Sequence, residues 1–137
     1  MKVKIDKRDT VFSKLVRERA NQLCERCGRH SSEVALQCSH IFSRRHVATR
    51  WHPDNAQCLC FGCHKWWHES PAQSGVWIRE LLGDGVIDLL EERRNQIKKY
   101  SKVVREDIHR HLLSEYKIMI DKRNDGISGR IEFEAFD

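Results

Sequence analysis

Two cysteine pairs of identical spacing constrain the fold of this 137-residue chain more than any other feature. Cys24 and Cys27 form the first C-x2-C pair, and Cys60 and Cys63 form the second. A tight turn at each pair presents two thiolates, and four thiolates make the tetrahedral ligand set of many structural zinc sites. The spacing therefore predicts one four-cysteine zinc site that joins two distant segments of the chain.

The other two cysteines, Cys38 and Cys58, stand outside this regular spacing. Cys58 with Cys63 is a less regular alternative pair, but we expect Cys38 and Cys58 to pack in the interior. The N-terminus has no apolar stretch of the signal-peptide type, and no run reaches the roughly 18 apolar residues of a membrane span. The expected location is therefore the cytoplasm, where metal binding is favoured over disulfides.

Basic residues concentrate in the first part of the chain. Residues 1–50 contain 12 Lys and Arg against 5 Asp and Glu, whereas residues 51–137 contain 13 against 15. A localised basic surface favours a polyanionic partner, most often nucleic acid. The alternative is a solvated charged face with no partner.

The apolar pattern predicts a single α+β domain. A first helix should begin near Val11, with Asp9 or Thr10 as its cap, and run into the first cysteine pair. Short strands and loops should follow over residues 29–62, with one strand at 34–38 leading to His40. A short helix should then carry Cys63 to His68.

Residues 73–137 are predicted to form a helical tail behind a core of residues 1–72. One helix should span Val76 to Leu82, and Asp84 should cap a second helix whose apolar stripe reaches Ile97. A third helix is expected over roughly 101–122, because its apolar residues recur every four positions. Residues 130–133 are predicted to form a short C-terminal strand.

Three histidines and an asparagine are spaced in register with the cysteine pairs. His40 precedes Asn55 by 15 residues, His64 follows the second pair directly, and His68 lies four positions further on. Side chains at i and i+4 share one helical face, so His64 and His68 can reach one ion. A histidine can deprotonate water near neutral pH, so the series offers a candidate base as well as candidate metal ligands.

The order of these residues resembles the signature of the HNH endonucleases. The matching segments are Ser39-His40-Ile41, Asn55 and Cys60-x2-Cys63-His64. This family folds two strands and a helix around one metal ion, the ββα-metal fold, and many members carry a four-cysteine, treble-clef-like zinc site beside it. The resemblance implies His40 as general base, Asn55 as the residue that orients the loop, and His64 and His68 as catalytic ligands of Mg²⁺ or Mn²⁺. Family members usually place an Asp or His ligand where this chain has Ser39, a weak ligand.

A longer series of motifs is similar to the NinG (Rap) recombination endonucleases of lambdoid phages, over roughly residues 9 to 120. The motifs are Asp9-x2-Phe12-Ser13-x3-Arg17-x-Arg19, Cys24-x2-Cys27-Gly28, Ser39-His40-Ile41-Phe42-Ser43-Arg44-Arg45, Ala48-Thr49-Arg50-Trp51 and Asn55. That family is associated with cutting branched recombination intermediates such as D-loops and Holliday junctions. The resemblance implies branched DNA as the substrate, in a phage or prophage context and in the bacterial host cytoplasm.

Arg44, Arg45 and Arg50 lie between His40 and Asn55, and we expect them to bind the DNA backbone, because guanidinium forks pair well with phosphate oxygens. The tail is expected either to position branched DNA or to form a homodimer, since a junction offers two strands to cut. The main rival interpretation is a non-catalytic, zinc-braced DNA-binding module, which Ser39 favours. A third is a protein-interaction module that uses the tail.

Overall fold

The computed structural model describes residues 3–137 and confirms the α+β prediction. Its elements are helix α1 (Lys7–Arg19), strand β1 (Leu36–His40), helix α2 (Val47–Arg50), a 3-10 helix (Pro53–Asn55), strand β2 (Ala56–Cys60), and helices α3 (Phe61–Glu69), α4 (Pro71–Leu82), α5 (Asp84–Arg94) and α6 (Lys102–Asn124). Over the described residues, no helix combines the length and the apolar character needed to cross a membrane.

The two strands pair antiparallel and lead directly into helix α3. Leu36 lies opposite Cys60 and His40 lies opposite Ala56, so the first strand sits two residues later than predicted. Cys60 ends β2 and also caps α3, because its Sγ accepts a hydrogen bond from the Cys63 amide at 3.5 Å. The predicted short helix is confirmed and extends by a residue or two at each end.

Helix α1 begins four residues before its predicted start. Asp6 is the N-cap, since its carboxylate accepts from the Arg8 amide at 2.8 Å while the Asp9 carboxylate accepts from the Asp6 amide at 2.9 Å. This reciprocal capping box makes the prediction of Asp9 or Thr10 as the cap wrong. The helix also ends before the first cysteine pair, because Asn21 and Gln22 adopt φ values of 57° and 60°, in the left-handed region.

Helix α6 packs along α1 and completes the main hydrophobic core, which also contains buried residues of β2 and of the C-terminal segment. Its members include Phe12, Leu15, Ile108, Leu112, Met119 and Phe133. Arg123 fastens the far ends of the two helices, donating to the Glu18 carboxylate at 3.0 Å and to the Glu18 carbonyl at 2.6 Å. The predicted tail therefore shares one core with the N-terminal helix.

The helices after residue 70 follow the predicted pattern, with local corrections. Helix α6 begins after Ser101, whose hydroxyl accepts from the Val104 amide at 3.2 Å. Gly83, with a φ of 92°, caps α5 in place of the predicted Asp84, which pairs instead with Arg79 at 3.0 Å. Ile97 lies beyond α5 and is fully exposed, so it does not belong to the apolar stripe.

The C-terminal segment does not form the predicted strand over residues 130–133. Ile131 and Phe133 are nevertheless buried in the main core. The Ile131 amide donates to the Arg19 carbonyl at 3.1 Å, which holds this segment against the end of α1. The alternation of apolar residues here reflects burial against a helix and not pairing with another strand.

The guanidinium of Arg19 fastens α1 to the segment that precedes β2. Arg19 is 1% exposed, and it donates to the carbonyl oxygens of Pro53 at 2.7 Å and Ala56 at 2.6 Å. The Phe133 ring lies 5.3 Å from the guanidinium carbon. Burial lowers the pKa of Arg19, but a guanidinium stays protonated in proteins, so a buried positive charge serves here as a structural hydrogen-bond donor.

Replacing Arg19 with Met should lower the free energy of unfolding by about 3 kcal/mol, because Met keeps much of the volume but leaves two buried carbonyl groups without donors. Urea denaturation of the zinc-loaded protein measures this change. Arg105→Met is the matched control, since the Arg105 side chain is exposed on α6. Equal stability of the two variants would contradict the structural importance of Arg19.

Candidate metal centre and histidine cleft

The four predicted zinc ligands lie together. The Sγ atoms of Cys24, Cys27, Cys60 and Cys63 all lie within 4.8 Å of one another, and those of Cys27 and Cys60 are 3.7 Å apart. Tetrahedral coordination with Zn–S bonds of about 2.3 Å places sulfur atoms about 3.8 Å apart. The cluster therefore fits a structural zinc ion, and the predicted grouping of these four cysteines is confirmed.

Hydrogen bonds from the turn at Cys24–Cys27, the first knuckle, reach two of the four sulfur atoms. The Cys27 amide donates to Cys24 Sγ at 3.5 Å, and the Arg26 guanidinium donates to Cys63 Sγ at 3.5 Å. Burial acts to raise the pKa of Cys24, but hydrogen bonds from backbone amides outweigh it and lower that pKa to about 7. A thiolate is the form that binds zinc, so these amides favour the binding state of Cys24, whereas burial raises the pKa of Cys63 to about 12.

Glu25, inside the first pair, docks its knuckle onto β2. Its amide donates to the Cys58 carbonyl at 2.8 Å, and its carboxylate accepts from the Cys58 amide at 2.6 Å. Arg130 donates to the other carboxylate oxygen at 2.6 Å. Sequence reasoning missed Glu25, because the intervening positions of a C-x2-C pair carry no signal of their tertiary partners.

Cys38 and Cys58 pack against the main core, as expected from their irregular spacing. They lie opposite each other on β1 and β2. Burial raises the pKa of each thiol to about 12, so both remain protonated near neutral pH. Neither belongs to the metal-binding cluster.

Purified protein should contain about one zinc ion per chain, and Cys60→Ser should lose it together with much of the folded structure, because structural zinc contributes directly to folding. Elemental analysis and circular dichroism measure the two effects. Cys38→Ser is the control and should retain zinc, since Cys38 lies outside the cluster. Zinc content unchanged in Cys60→Ser would refute the four-cysteine site.

A cleft of about 720 Å³ lies between α1, β1 and α3. It is lined by His40 at the end of β1, by His64 and His68 on α3, and by Arg44 from the following loop. Asp9, Arg17, Gln37 and Trp67 also face this cleft. The structure thus brings the predicted general base, the predicted metal ligands and one predicted DNA-binding arginine to a single surface.

His40 is held as a neutral imidazole. Its ring hydrogen-bonds to the backbone of Arg50, and its Nε2 atom is buried without a partner among the described residues. Burial lowers the pKa of His40 to about 4, and the charge on Arg44 acts in the same direction. At neutral pH the unpartnered Nε2 therefore offers a lone pair that can accept a proton.

Asn55 fixes the backbone that follows His40. Its side chain is fully buried, and its Oδ1 accepts from the Phe42 amide while its Nδ2 donates to the Phe42 carbonyl, both at 2.9 Å. The Asn55 carbonyl also accepts from the Ile41 amide at 2.8 Å. Three hydrogen bonds thus tie the loop after β1 to the residue that precedes β2.

His64 and His68 face each other across one turn of α3. Their Nε2 atoms are 3.1 Å apart, and Nδ1 of His64 lies 2.5 Å from Oε1 of Gln37. Burial lowers the pKa of His64, and a charge on His68 would lower it further. Two imidazole nitrogens bound to one ion at about 2.1 Å lie roughly 3.0 to 3.4 Å apart, so the pair fits a shared divalent cation.

Ser39 is placed differently from the histidines. It is 2% exposed and lies opposite Gln57 in the sheet. Among the described residues, His40 lines the cleft but Ser39 does not. The role of Ser39 as a metal ligand stays a prediction. Of the three predicted ligands, only His64 and His68 line the cleft.

The predicted DNA-binding arginines divide into two kinds. Arg50 is 9% exposed and donates to both oxygens of the Asp9 carboxylate, at 3.0 Å and 2.5 Å, so it anchors its loop to α1. Arg44 lines the cleft 3.8 Å from Asp9, and Arg45 is exposed. Phosphate contact stays a prediction for Arg44 and Arg45, whereas the Arg50 guanidinium faces the protein interior.

Asp9, near the start of α1, is the buried acceptor that holds this loop. It also accepts from Trp51 Nε1 at 3.0 Å. Burial acts to raise the pKa of Asp9, but the hydrogen bonds from Arg50 and its charge lower that pKa below the ordinary value. This role is not evident from the sequence alone, because an acidic residue in the first turn of a helix is common for local reasons.

The His40 ring should protonate only near pH 4, because burial disfavours its charged form. An unfolded chain would take up this proton near pH 6.5. Between pH 6.5 and pH 4 the unfolded state therefore binds more protons, and the free energy of unfolding falls as pH decreases. NMR titration of the His40 ring on zinc-loaded protein measures the midpoint. A midpoint near 6.5 would contradict the buried, neutral assignment.

No significant match was found when the chain was compared with models of known protein families, with curated proteins and with solved structures. Its chemistry is therefore inferred from its own residues. The cleft combines a neutral imidazole with an unpartnered nitrogen, a facing imidazole pair and a guanidinium beside them. These groups can accept a proton, bind a divalent cation and contact an anion.

Proposed function

We propose that this protein is a metal-dependent HNH DNA endonuclease that hydrolyses phosphodiester bonds. The observation that carries this proposal is one cleft lined both by a neutral His40, whose buried Nε2 has no partner among the described residues, and by imidazoles of His64 and His68 whose Nε2 atoms lie 3.1 Å apart. The order strand, strand, helix around these residues and the Asn55 clamp also support it.

In the proposed reaction, binding of DNA exposes the buried Nε2 of His40, which then accepts a proton from the attacking water. The oxygen of that water forms a bond to phosphorus, and the bond from phosphorus to the leaving oxygen of the sugar breaks. His64 and His68 hold the cation. Mg²⁺ or Mn²⁺, when bound, neutralises charge on the scissile phosphate and the leaving oxygen. Asn55 keeps His40 in place by fixing the loop that follows it.

DNA is proposed to bind along the cleft through its backbone. Arg44 lies in the cleft, Arg45 is exposed nearby, and Arg17 of α1 lines the same surface. These cations lie in the basic half of the sequence. Phosphate contacts hold DNA without reading its sequence, so the arrangement suits recognition of DNA shape. Branched recombination intermediates in a phage or prophage context, and a homodimer, remain part of the proposal through the sequence resemblance.

A second candidate function is a non-catalytic DNA-binding module braced by zinc. The observation that favours it is the position of Ser39, which is buried where the HNH signature usually has a metal ligand. Under this alternative the protein needs zinc alone, whereas the endonuclease also needs an exchangeable cation.

Zinc-loaded wild-type protein should cut labelled DNA when Mg²⁺ or Mn²⁺ is added, and His40→Ala should cut about 10²- to 10⁴-fold more slowly, because it lacks the proton acceptor. Linear, nicked, D-loop and four-way-junction substrates test the preference for branched DNA. His64→Ala should lose cleavage activity because it lacks a proposed metal ligand, and higher Mn²⁺ concentrations should restore part of that activity.

His30→Ala is the matched control, since the exposed His30 lies away from the cleft and its ring contacts Ser32 instead. It should cut at the wild-type rate. Binding of all four substrates without metal-dependent cutting of any would reject the endonuclease in favour of the binding module. Equal rates for His40→Ala and wild type would reject His40 as the base.

A further inference from the structure

A glutamine on β1 reaches across to helix α3 and contacts the first histidine of the facing pair. Oε1 of Gln37 lies 2.5 Å from Nδ1 of His64, a short hydrogen bond between side chains 27 positions apart in sequence. Both residues are half-buried and both line the cleft. This contact therefore belongs to the cleft, yet neither the cysteine spacing nor the histidine series assigns Gln37 a role.

We propose that Gln37 is a positioning residue that fixes His64 with its proton on Nδ1, so that the Nε2 lone pair points toward His68 and a shared divalent cation. This inference rests on the proposed function, because it assumes that His64 and His68 hold the cation. It adds a residue that neither binds the cation nor touches the DNA but prepares a ligand.

The direction of hydrogen bonding follows from the chemistry of the groups. A neutral imidazole carries one N–H and one lone pair, and an amide oxygen can only accept. Donation from Nδ1 of His64 to Gln37 leaves Nε2 of His64 as an acceptor, which is what a metal ligand must offer. Nε2 of His68, 3.1 Å away, then donates to it in the metal-free protein. All three side chains form one chain of donation with a single direction.

The two histidines are unequal in this arrangement. His64 is half-buried and held at both ring nitrogens, by Gln37 and by His68. His68 is exposed, and within residues 3–137 its side chain has a hydrogen bond to His64 alone. His64 would therefore already be oriented for a cation, while His68 would move its proton from Nε2 to Nδ1 before it could bind the same ion. Outer partners of this kind typically change metal affinity by about 10- to 100-fold.

Gln37→Leu removes the acceptor at nearly constant size, and Gln37→Glu restores an oxygen acceptor. Calorimetric titration of zinc-loaded protein with Mn²⁺ should show about 10- to 100-fold weaker binding for Gln37→Leu and affinity closer to wild type for Gln37→Glu. Gln73→Leu is the matched control, since Gln73 is exposed on α4, and it should bind as wild type does. Zinc content and circular dichroism confirm that each variant is folded.

Nitrogen-15 NMR of the imidazole rings, without Mn²⁺, supplies a readout that does not depend on cation binding. Wild type should show His64 protonated at Nδ1, and Gln37→Leu should show a mixture of both tautomers. A proton on Nε2 of His64 in wild type would overturn the inference, as would unchanged Mn²⁺ affinity in Gln37→Leu. In that last case the proposed function stands. If the wild type binds no Mn²⁺, or if His64→Ala binds Mn²⁺ as well as the wild type does, the proposed function and this inference both fail.

Discussion

The geometry of the cleft depends on the hydrogen bonds that the buried guanidinium of Arg19 donates. This guanidinium binds the carbonyl oxygens of Pro53 and Ala56, which lie on either side of Asn55 in the chain. Asn55 in turn holds Phe42, two residues after His40. Helix α1 therefore sets the position of His40 through two successive sets of hydrogen bonds. The same residue also accepts from the C-terminal segment through its backbone carbonyl, so distant parts of the chain converge on it.

Two further anchors hold α1 against the rest of the site. Near its start, Asp9 accepts hydrogen bonds from Arg50 and Trp51 of the loop that separates β1 from β2. Beyond its end, the cysteine cluster joins the first knuckle to the start of α3, so that a zinc ion would connect the two walls of the cleft. The histidine pair on α3 and His40 on β1 thus belong to elements fixed independently of any substrate. Such fixed elements keep the cost of ordering the site low when a ligand binds.

The sequence predicts those features that leave a regular spacing of residues along the chain. The cysteine cluster, the helix carrying His64 and His68, and the stripe of α6 follow from spacing and periodicity, and the structure contains them. It could not predict the burial of Arg50, because an arginine in a polar loop is usually solvated and only the tertiary fold brings Asp9 beside it. The contact between Gln37 and His64 could not be predicted either, because the two residues lie on different elements.

The imidazoles of His64 and His68 are a small ligand set for a hard cation, because two nitrogen atoms leave most coordination positions of the ion without a protein ligand. Mg²⁺ prefers oxygen ligands and Mn²⁺ accepts imidazole more readily, so under the proposed function most positions around the ion would be filled by water and by phosphate oxygen. Binding of the cation and of DNA would then be coupled, each increasing affinity for the other by the same factor. A buried Ser39 is compatible with this arrangement, because under the proposed function the substrate would supply the oxygen ligand that the strand does not. With so few protein ligands, the affinity for the cation would depend strongly on how well Gln37 orients His64 before the ion binds.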